Sequence, residues 1–364
     1  MMNTFTERGS AAALADETGC MDKHPPDEQR ALSIRDIARL AGVSRQTVSR
    51  VLNGERYIKP STEAQVRKVI EEHSWRPNSA ARALATSRSK TIGLLVSARS
   101  HYGPFSAAAA IDEAARARGY AILSATLARE DDAAISEALD AFSAQGVDGV
   151  VVIAPQQRAH EALQRVAVRV PFVSMHWKDA GDGRVAAFDQ EAGARLATRH
   201  LIELGHTRIR HLAGPQDWNE AEDRMNGFLA ELSDHDLPAT APVLGDWTAD
   251  LGYEVGLKLL DHPDFTAVFA SNDQMALGLM HAAADLGLSI PGDLSIVGFD
   301  DIPEAKHFAP PLTTIRQDFA WLGAHAIDVL ITQLEGGDAS AIAAEYPIPQ
   351  LVVRQSTAPP RVPG

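Results

Sequence analysis

The sequence predicts a small all-α head followed by an α/β body of two Rossmann-like lobes. Two observations lead to this fold class. Residues 31–77 contain short helical patterns separated by a glycine, whereas strand-like runs alternate with helical stretches from Thr91 onward. Such alternation is typical of parallel sheets with right-handed crossovers. The strand-like runs are too many for one comfortable sheet, so we expect two lobes with a cleft between them.

Composition and pattern divide the chain into five parts. Residues 1–30 are polar, show no periodicity and are predicted to be a disordered tail. Residues 31–77 form the helical head, and residues 78–90 form a linker that is too short to be a stable helix alone. The body takes residues 91–358, and residues 359–364 are a short tail. A conditionally helical linker is a candidate switch, and a plain flexible tether is the alternative.

Composition favours a soluble globular protein. The chain has 364 residues, 45% of them hydrophobic and 23% charged, and holds no apolar run of about 18 residues that could span a membrane. The first 30 residues lack the apolar segment of a secretory signal. Cys20 is the sole cysteine, which rules out a disulfide within one chain. We therefore expect a cytoplasmic protein.

The net charge of −14 is unevenly distributed along the chain. Residues 31–90 hold twelve Lys or Arg against five Asp or Glu, a net +7, whereas residues 1–30 carry −3 and residues 91–364 carry −18. A basic block on an acidic body suggests a head that binds a polyanion. The alternative is a pair of solvated charged helices.

Capping signals place the helices of the head. Ser33 can cap the first helix, with Asp36 three residues later as in a capping box. Gly42 suits the left-handed position that ends this helix. Ser44 can cap a second helix, and Asn53 followed by glycine stops it. The result is two helices joined by a turn of about three residues.

The exposed side of the second helix carries Arg45, Gln46, Thr47, Ser49 and Arg50. These side-chain types read base edges and phosphates in a DNA major groove. A three-helix bundle without DNA would explain the spacing, but it would not explain this set within a basic block. We therefore predict that the head binds DNA.

The body alternates strands and helices to its end. The predicted strands are 92–96, 121–125, 147–153, 172–175, 184–188, 209–213, 268–271, 294–299 and 346–353. The predicted helices are 107–118, 132–145, 190–204, 219–232, 250–261, 273–286 and 319–335. Ligand sites in such lobes form at the carboxyl ends of strands, so the residues that follow each strand are the candidates.

Polar and aromatic side chains occupy these strand ends and other element ends. The candidates at strand ends are Ser97, His176, Asn272 and Asp300, and those at other element ends are Arg224, Trp247, Gln317 and Phe319. Carboxylates, amides and arginine bind paired hydroxyls, and aromatic rings stack on a pyranose, so the set suits a sugar. Taken singly, Asn272 can be a helix cap, Asp300 a turn residue and Trp247 a core residue.

Common enzyme motifs are absent from the sequence. It contains no phosphate-binding loop, dinucleotide fingerprint, zinc-protease helix or serine-hydrolase elbow, and no histidine pairs with cysteine at zinc spacing. We therefore predict a protein that is not an enzyme and has no catalytic residues, metal or cofactor.

Several motifs resemble the lactose-repressor (LacI/GalR) family of bacterial transcription factors. In the head they are SIRDIARLAGVSRQTVSRVLNG at 33–54 and RPNSAARAL at 76–84. In the body they are HLIELGHTRIRHLAGP at 200–215, GDW at 245–247, SNDQMALG at 271–278, VGFDD at 297–301 and PPLTTIRQDF at 310–319. The resemblance covers roughly residues 31–358.

The resemblance implies a helix-turn-helix head, a hinge helix and a core like that of periplasmic sugar-binding proteins. In such a core the chain crosses between the lobes three times. We therefore expect lobe one to take residues 91–189 and 317–342, and lobe two to take residues 190–316 and 343–358.

The resemblance also implies roles in DNA binding. Arg45, Gln46 and Arg50 would read the major groove, and Thr47, Ser49 and Asn53 would mainly contact phosphates. Leu84 would be a wedge inserted at the centre of the operator. The turn and linker motifs add Ser44, Asn78 and Arg82 to the predicted contacts.

In the core, most of the candidate residues match ligand-contacting positions of the family: Ser97, Arg224, Trp247, Asn272, Asp300, Gln317 and Phe319. The chain departs from some sugar-binding members in having His176 and Trp177 where they place an aspartate, and Tyr102 stands in the cleft-entry loop. Several stacking surfaces favour a disaccharide, and the motif combination looks like regulators of β-glucosides or β-galactosides. A purine is disfavoured by Trp247.

The expected partners are operator DNA, a sugar effector and a second copy of the chain, with no membrane. The segment RQSTAPPRVPG after Val353 contains no leucine heptad, so we expect a homodimer rather than a tetramer. Sugar and DNA would then weaken each other's binding by the same factor. The alternatives are a monosaccharide effector, a co-repressor, a sugar-binding protein without regulatory role, or a sugar-modifying enzyme using Asp300 and Asp301.

Overall fold

The protein was analysed as a computed structural model. The described residues are 32–52, 58–76, 88–97, 101–127, 129, 131–165, 170–175, 185–261, 263–343 and 346–361. The chain forms two compact units, Met1–Ala81 and Arg82–Gly364, and each is described by itself. Some predictions lie outside the described residues: the tail 1–30, the linker up to residue 87, and Asn53, Asn78, Arg82, Leu84, His176 and Trp177.

The head contains three helices, α1 (Ile34–Leu40), α2 (Arg45–Leu52) and α3 (Pro60–Glu72). Their shared core is made of apolar side chains at helical spacing, including Ile37, Val48, Val51 and Val66. The carboxylate of Asp36 accepts hydrogen bonds from the backbone N–H and the hydroxyl of Ser33, at 2.9 and 2.6 Å. Gly42 has φ +61°, as predicted for the end of α1.

The first lobe is built on a five-stranded parallel sheet with the order β2-β1-β3-β4-β5. Its strands are β1 (Thr91–Val96), β2 (Ala121–Thr126), β3 (Gly149–Ile153), β4 (Phe172–Met175) and β5 (Val185–Ala186). Its helices are α4 (Tyr102–Ala117), α5 (Asp132–Ala144) and α6 (Gln157–Arg165). Strands β1 and β3 are almost wholly buried, as expected where helices cover both faces of a parallel sheet.

The second lobe contains a four-stranded parallel sheet with the order β7-β6-β8-β9. Its strands are β6 (Ile209–Ala213), β7 (Val243–Leu244), β8 (Ala267–Ala270) and β9 (Ser295–Val297). Its helices are α7 (Gln190–Glu203), α8 (Asn219–Asp234), α9 (Ala249–Leu259) and α10 (Asp273–Asp285), and a 3₁₀ turn covers Ala305–His307. An antiparallel pair, β10 (Thr314–Arg316) and β11 (Gln350–Val352), continues this lobe through a bridge between Asp300 and Arg316.

Helix α11 (Phe319–Leu334) returns to the first lobe and is followed by the short helix α12 (Ser340–Ala343). Leu322 and Leu330 of α11 share one apolar core with Ile111 of α4. A Cβ atom at Gly323 would lie 2.5 Å from the backbone of Ala110, so only glycine allows the two helices to approach this closely. The chain therefore passes between the lobes three times.

The predicted α/β architecture is confirmed, with differences at particular elements. Helix α4 begins at Tyr102 rather than at residue 107, because Pro104 stands in the first turn, where its missing N–H is not needed. Helix α6 and strands β7 and β10 were not predicted, and the strand expected at 346–353 is limited to β11. None of the helices in the described part of the chain has the length and apolar character that crossing a bilayer requires.

Candidate functional site

A cavity of about 420 Å³, including its opening to solvent, lies between the two lobes. Seven of the nine predicted ligand-binding residues line it: Tyr102, Arg224, Trp247, Asn272, Asp300, Gln317 and Phe319. Residues up to 217 positions apart in sequence, Tyr102 and Phe319, thus meet at one site, as the strand-end rule predicts for open α/β sheets.

The cavity is also lined by residues that sequence reasoning missed: His101, Gly103, Pro104, Gln190, Trp218 and Glu220. A signal existed for one of them. Glu220 lies four residues before Arg224 in α8, and residues four apart share one face of a helix. The position of Arg224 therefore implies that Glu220 faces the same space.

Ser97 does not line this cavity. Its buried hydroxyl donates a hydrogen bond of 2.6 Å to the side-chain oxygen of Gln156, and Gln156 in turn forms a backbone bridge with Trp218 of the second lobe. The structure thus places Ser97 in a contact that connects the lobes. His176, the other predicted ligand residue outside the set of seven, lies outside the described residues.

A continuous polar network forms one side of the cavity. The Nε2 of Gln190 donates to Gln317 at 2.8 Å, and the Nε2 of Gln317 donates to the Oδ1 of Asp300 at 2.7 Å. Arg224 contacts the same Oδ1 through Nη2 at 3.4 Å and donates from Nε to Gln190 at 2.9 Å. All four side chains are buried, so each one holds the next in a fixed orientation.

Arg224 is the cation of this network. Its Nη1 donates to the carbonyl oxygen of Ser271, and its guanidinium lies over the ring of Phe299 at 3.8 Å from the centroid. Burial lowers the pKa of Arg224, and the neighbouring carboxylates oppose this shift. A guanidinium begins so far above neutrality that Arg224 remains charged.

Asp300 is the carboxylate that faces Arg224. Burial raises its pKa to about 6, although the charge of Arg224 and the hydrogen bond from Gln317 both lower it. The residue has φ +105°, a conformation that L-residues rarely adopt, and this backbone aims it into the cavity wall. A carboxylate that is ionised only above about pH 6 is suited to accept a hydrogen bond from a ligand hydroxyl.

The adjacent residue, Asp301, has a different role. Its two oxygens accept hydrogen bonds of 2.6 Å from Arg316 and Arg354, and it does not line the cavity. Asp301 therefore fastens β10 to the segment that follows β11. The pair Asp300 and Asp301 does not present two carboxylates to one ligand, as a glycoside-cleaving site would require.

Aromatic rings form the rest of the cavity wall. The centroids of Trp218 and Trp247 are 5.4 Å apart, and those of Tyr102 and Phe319 are 5.9 Å apart. Trp247 has φ +73°, and its buried ring N–H has no hydrogen-bond partner among the described residues. A Cβ atom at Gly214 would lie 2.2 Å from this ring, so glycine is required there.

Asn272 combines two of the roles considered for it. Its Oδ1 accepts a hydrogen bond from the backbone N–H of Met275 at 2.9 Å, which caps α10, and its Nδ2 donates to the carbonyl oxygen of Trp247 at 3.0 Å. The side chain also lines the cavity. The helix cap therefore fixes the backbone of the strained tryptophan beside the ligand space.

In the head, the predicted DNA-reading residues lie on one helix. Arg45, Gln46 and Arg50 are exposed, whereas Thr47 and Ser49 are half-buried. The exposed Ser44 caps α2, because its hydroxyl accepts a hydrogen bond from the N–H of Thr47 at 3.1 Å. Helix α2 thus follows a tight turn and exposes Arg45, Gln46 and Arg50 to solvent. A recognition helix that enters a major groove needs this arrangement.

Metal binding has no support in the described part of the chain, where His, Cys, Asp and Glu form no group of three or more that could hold an ion.

Two family models match the sequence. Residues 33–78 match bacterial regulatory proteins of the lacI family, and residues 198–357 match a periplasmic binding protein-like domain. The first match corresponds to the helical head, and the second covers most of the second lobe together with helices α11 and α12 of the first.

Curated relatives match most of the chain. The Ribose operon repressor of Escherichia coli K12 is 34% identical over 308 residues, which are 83% of this chain and 93% of the relative. The Lactose operon repressor of the same organism is 33% identical over 330 residues, 90% and 91% of the two chains. The HTH-type transcriptional repressor PurR of Actinobacillus pleuropneumoniae serotype 3 is 32% identical over 309 residues, 83% and 91% of the two chains.

Solved structures match the same span. A Lac repressor dimer bound to operator and the anti-inducer ONPF has a TM-score of 0.76 and 32% identity, covering 90% of this chain and 100% of that one. A complex of the transcriptional regulator CelR with cellobiose has a TM-score of 0.64 and 28% identity, covering 89% and 99%. Both the head and the body of this chain therefore have counterparts in structures of regulators.

Proposed function

The chain belongs to the lacI family of bacterial regulatory proteins, and from this membership we propose that it is a transcriptional repressor controlled by a sugar. The observation that carries the sugar part is the cavity between the lobes. It brings a carboxylate, a guanidinium and amides together beside aromatic rings, which is the chemistry that binds a polyhydroxylated ring.

DNA binding by the head is supported by the exposed side chains of α2, Arg45, Gln46 and Arg50. The proposed contacts of the linker, at Asn78, Arg82 and Leu84, come from the family resemblance alone. We propose a homodimer, because two heads would then meet a near-palindromic operator and because the Lac repressor structure is described as a dimer on operator.

A β-linked disaccharide is the effector that we favour. Trp247, Trp218 and Tyr102 offer more than one aromatic surface, which suits two sugar rings better than one. The CelR complex contains cellobiose, a β-linked disaccharide, which supports the same choice. A monosaccharide is the second candidate, because the Ribose operon repressor is a relative of similar identity.

The regulation follows from thermodynamic linkage. If the sugar binds best to one arrangement of the lobes and DNA to another, each ligand weakens the other by the same factor. A typical coupling of about 1–3 kcal/mol corresponds to roughly 5- to 150-fold in operator affinity. The sugar then acts as an inducer, and a co-repressor would use the same linkage with the opposite sign.

The test has two steps with the purified full chain. Operator sequences are first selected from a random double-stranded library at low ionic strength, and the affinity is then measured by fluorescence anisotropy with and without cellobiose, lactose or ribose. We expect affinity to fall steeply with added salt, because phosphate contacts release counterions. Failure to enrich any sequence would refute DNA binding, and an affinity unchanged by every saccharide would refute sugar control.

A sugar-modifying enzyme is the candidate from another class. It would need an acid and a base above the same ligand. Asp301 is held by Arg316 and Arg354, and of the two carboxylates that line the cavity, Asp300 and Glu220, Asp300 is held by Arg224 and Gln317. We therefore expect labelled cellobiose to be recovered unchanged after incubation with the protein. Conversion at a rate above that of the Asp300→Asn variant would establish an enzyme instead.

A further inference from the structure

We propose that Glu220 makes the cavity selective for uncharged saccharides and excludes phosphorylated or otherwise anionic ones. This inference rests on the sugar-binding role proposed above and narrows the chemical class of the effector. It concerns a residue that neither the sequence motifs nor the family matches assign to a role.

Glu220 lies where a helix would otherwise attract an anion. It is in the first turn of α8, is only 7% exposed and lines the cavity. The free N–H groups of a first helical turn favour negative charge, and many proteins bind phosphate there. In this chain the carboxylate of Glu220 lies in that first turn. The positive end of the helix is therefore next to a negative charge of the protein itself rather than of a ligand.

The charges of the cavity wall favour a neutral ligand. Among its described lining residues are one guanidinium, Arg224, and two carboxylates, Asp300 and Glu220. Glu220 raises the pKa of both of the others by its charge. Burial lowers the pKa of His101, which therefore adds no positive charge at pH 7.5. A phosphate with a charge of about −1.5 to −2 would meet a net negative wall in a poorly solvated space.

The hydrogen-bond donors point to the same class of ligand. Three of the five N–H groups of Arg224 already donate to Gln190, to the Ser271 carbonyl and to Asp300, and its charge is faced by Asp300, so only two N–H groups remain for a ligand. The buried ring N–H of Trp247 is a neutral donor without a partner among the described residues. A sugar hydroxyl can accept from this N–H and can donate to a carboxylate.

A matched residue separates this role from simple stabilisation of the helix. Glu222 lies in the same first turn of α8, but it is exposed and accepts a hydrogen bond from Gln157 at 3.1 Å. Glu220→Gln and Glu222→Gln remove the same charge from the same helical turn. Only the first of these substitutions changes the charge of the cavity.

The experiment is calorimetric titration of the full chain at pH 7.5 with paired probes, cellobiose against cellobiose 6′-phosphate and lactose against lactose 6-phosphate. We expect the wild-type protein to bind an uncharged probe at least about 100-fold more tightly than its phosphate, since two charges act at close range. Glu220→Gln should narrow this ratio by roughly tenfold. Glu222→Gln should leave it within about twofold, as for an exposed charge.

Each other outcome overturns the inference in a distinguishable way. The selectivity is refuted if the wild-type protein binds a phosphorylated probe as tightly as the uncharged one or more tightly. The role of Glu220 is refuted if Glu220→Gln does not change the affinity ratio. Neither result affects the proposal that the protein is a repressor controlled by a sugar. The same narrowing in both variants assigns the effect to the helix end. If neither uncharged nor phosphorylated probes bind, both the proposed saccharide effector and the selectivity are refuted. Thermal unfolding verifies that each variant is folded, and Glu220→Ser replaces Glu220→Gln if that variant is not.

Discussion

The two lobes contribute different side chains to one cavity. Besides the rings of Trp218 and Trp247, the second lobe supplies the buried polar groups Gln190, Asp300 and Arg224, which form one hydrogen-bonded network with Gln317 at the crossing to the first lobe. The first lobe supplies a mainly apolar surface, with Tyr102 and Pro104 at the start of α4 and Phe319 at the start of α11. The difference indicates that the second lobe fixes the orientation of a ligand, whereas the first lobe covers it.

This division also separates the energetic consequences of substitution. A polar group removed from the second lobe leaves its buried partners unsatisfied, which costs more than the lost contact itself. A ring removed from the first lobe leaves only a smaller contact area. Substitutions in the two lobes should therefore differ in their effect on stability as well as on affinity.

The largest expected effect is that of Arg224→Ala in the second lobe. It leaves the carboxylate of Asp300 buried without its cation, so we expect the free energy of unfolding to fall by about 3 kcal/mol and saccharide affinity to fall at least about 100-fold. Operator affinity should persist while the response to sugar is lost. Chemical denaturation and calorimetry measure the first two quantities, and fluorescence anisotropy measures the third.

The matched control is Arg210→Ala, in β6 of the same lobe, whose partner Asp264 is exposed. We expect a stability change within about 1 kcal/mol for this surface pair. The double variant Arg224→Ala with Asp300→Asn should recover part of the stability, because it removes the uncompensated charge. Equal effects of Arg224→Ala and Arg210→Ala would contradict the role given to the polar network.

A smaller effect is expected for Phe319→Ala in the first lobe. Loss of the ring removes its edge contact with Tyr102 and part of the apolar cover, so we expect saccharide affinity to fall by roughly tenfold. The control is Phe105→Ala in α4, whose ring is 60% exposed and does not line the cavity. If Phe319→Ala abolished binding as completely as Arg224→Ala, the proposed division between the lobes would be wrong.

The smallest expected effect is the pH dependence of saccharide affinity. The pKa of Asp300 is about 6, and a hydroxyl that donates to its ionised form lowers this value in the complex. Affinity should therefore be constant above about pH 7 and fall as pH drops through 6, by at most tenfold per pH unit. Calorimetry from pH 5 to 8 measures this slope. A slope that survives in Asp300→Asn would assign the titration to another group, such as His101.

The positions of the main cavity residues could be predicted because strand ends carry local signals. Asp300 follows a short buried strand, and Asn272 follows another and opens a helix, so topology alone brings them together. The hydrogen bond that holds Ser97 away from the cavity could not be predicted in this way. Its partner Gln156 is 59 residues away, and no local pattern encodes that pairing.

Other features depend on contacts between distant segments. Asp300 and Asp301 are adjacent residues of the same type, so the sequence does not show which of them lines the cavity. Their roles differ because Arg316 and Arg354 bind Asp301. Strand β10 exists because β11 and residues of the second lobe pair with it, since three residues have little preference of their own. The predicted lobe boundaries and DNA contacts remain predictions of the family resemblance.

The repeated passage of the chain between the lobes has a practical consequence for dissecting the protein. The three passages lie side by side. The N–H of Asp189 donates to the carbonyl oxygen of Pro347, which joins the first passage to the third, and Gln190 donates to Gln317, which joins the first to the second. Neither lobe of the body is therefore encoded by one continuous stretch of the gene. On the predicted bounds of lobe one, isolating that lobe would require fusing the coding regions for residues 91–189 and 317–342, so that helices α4 and α11 can make their contact.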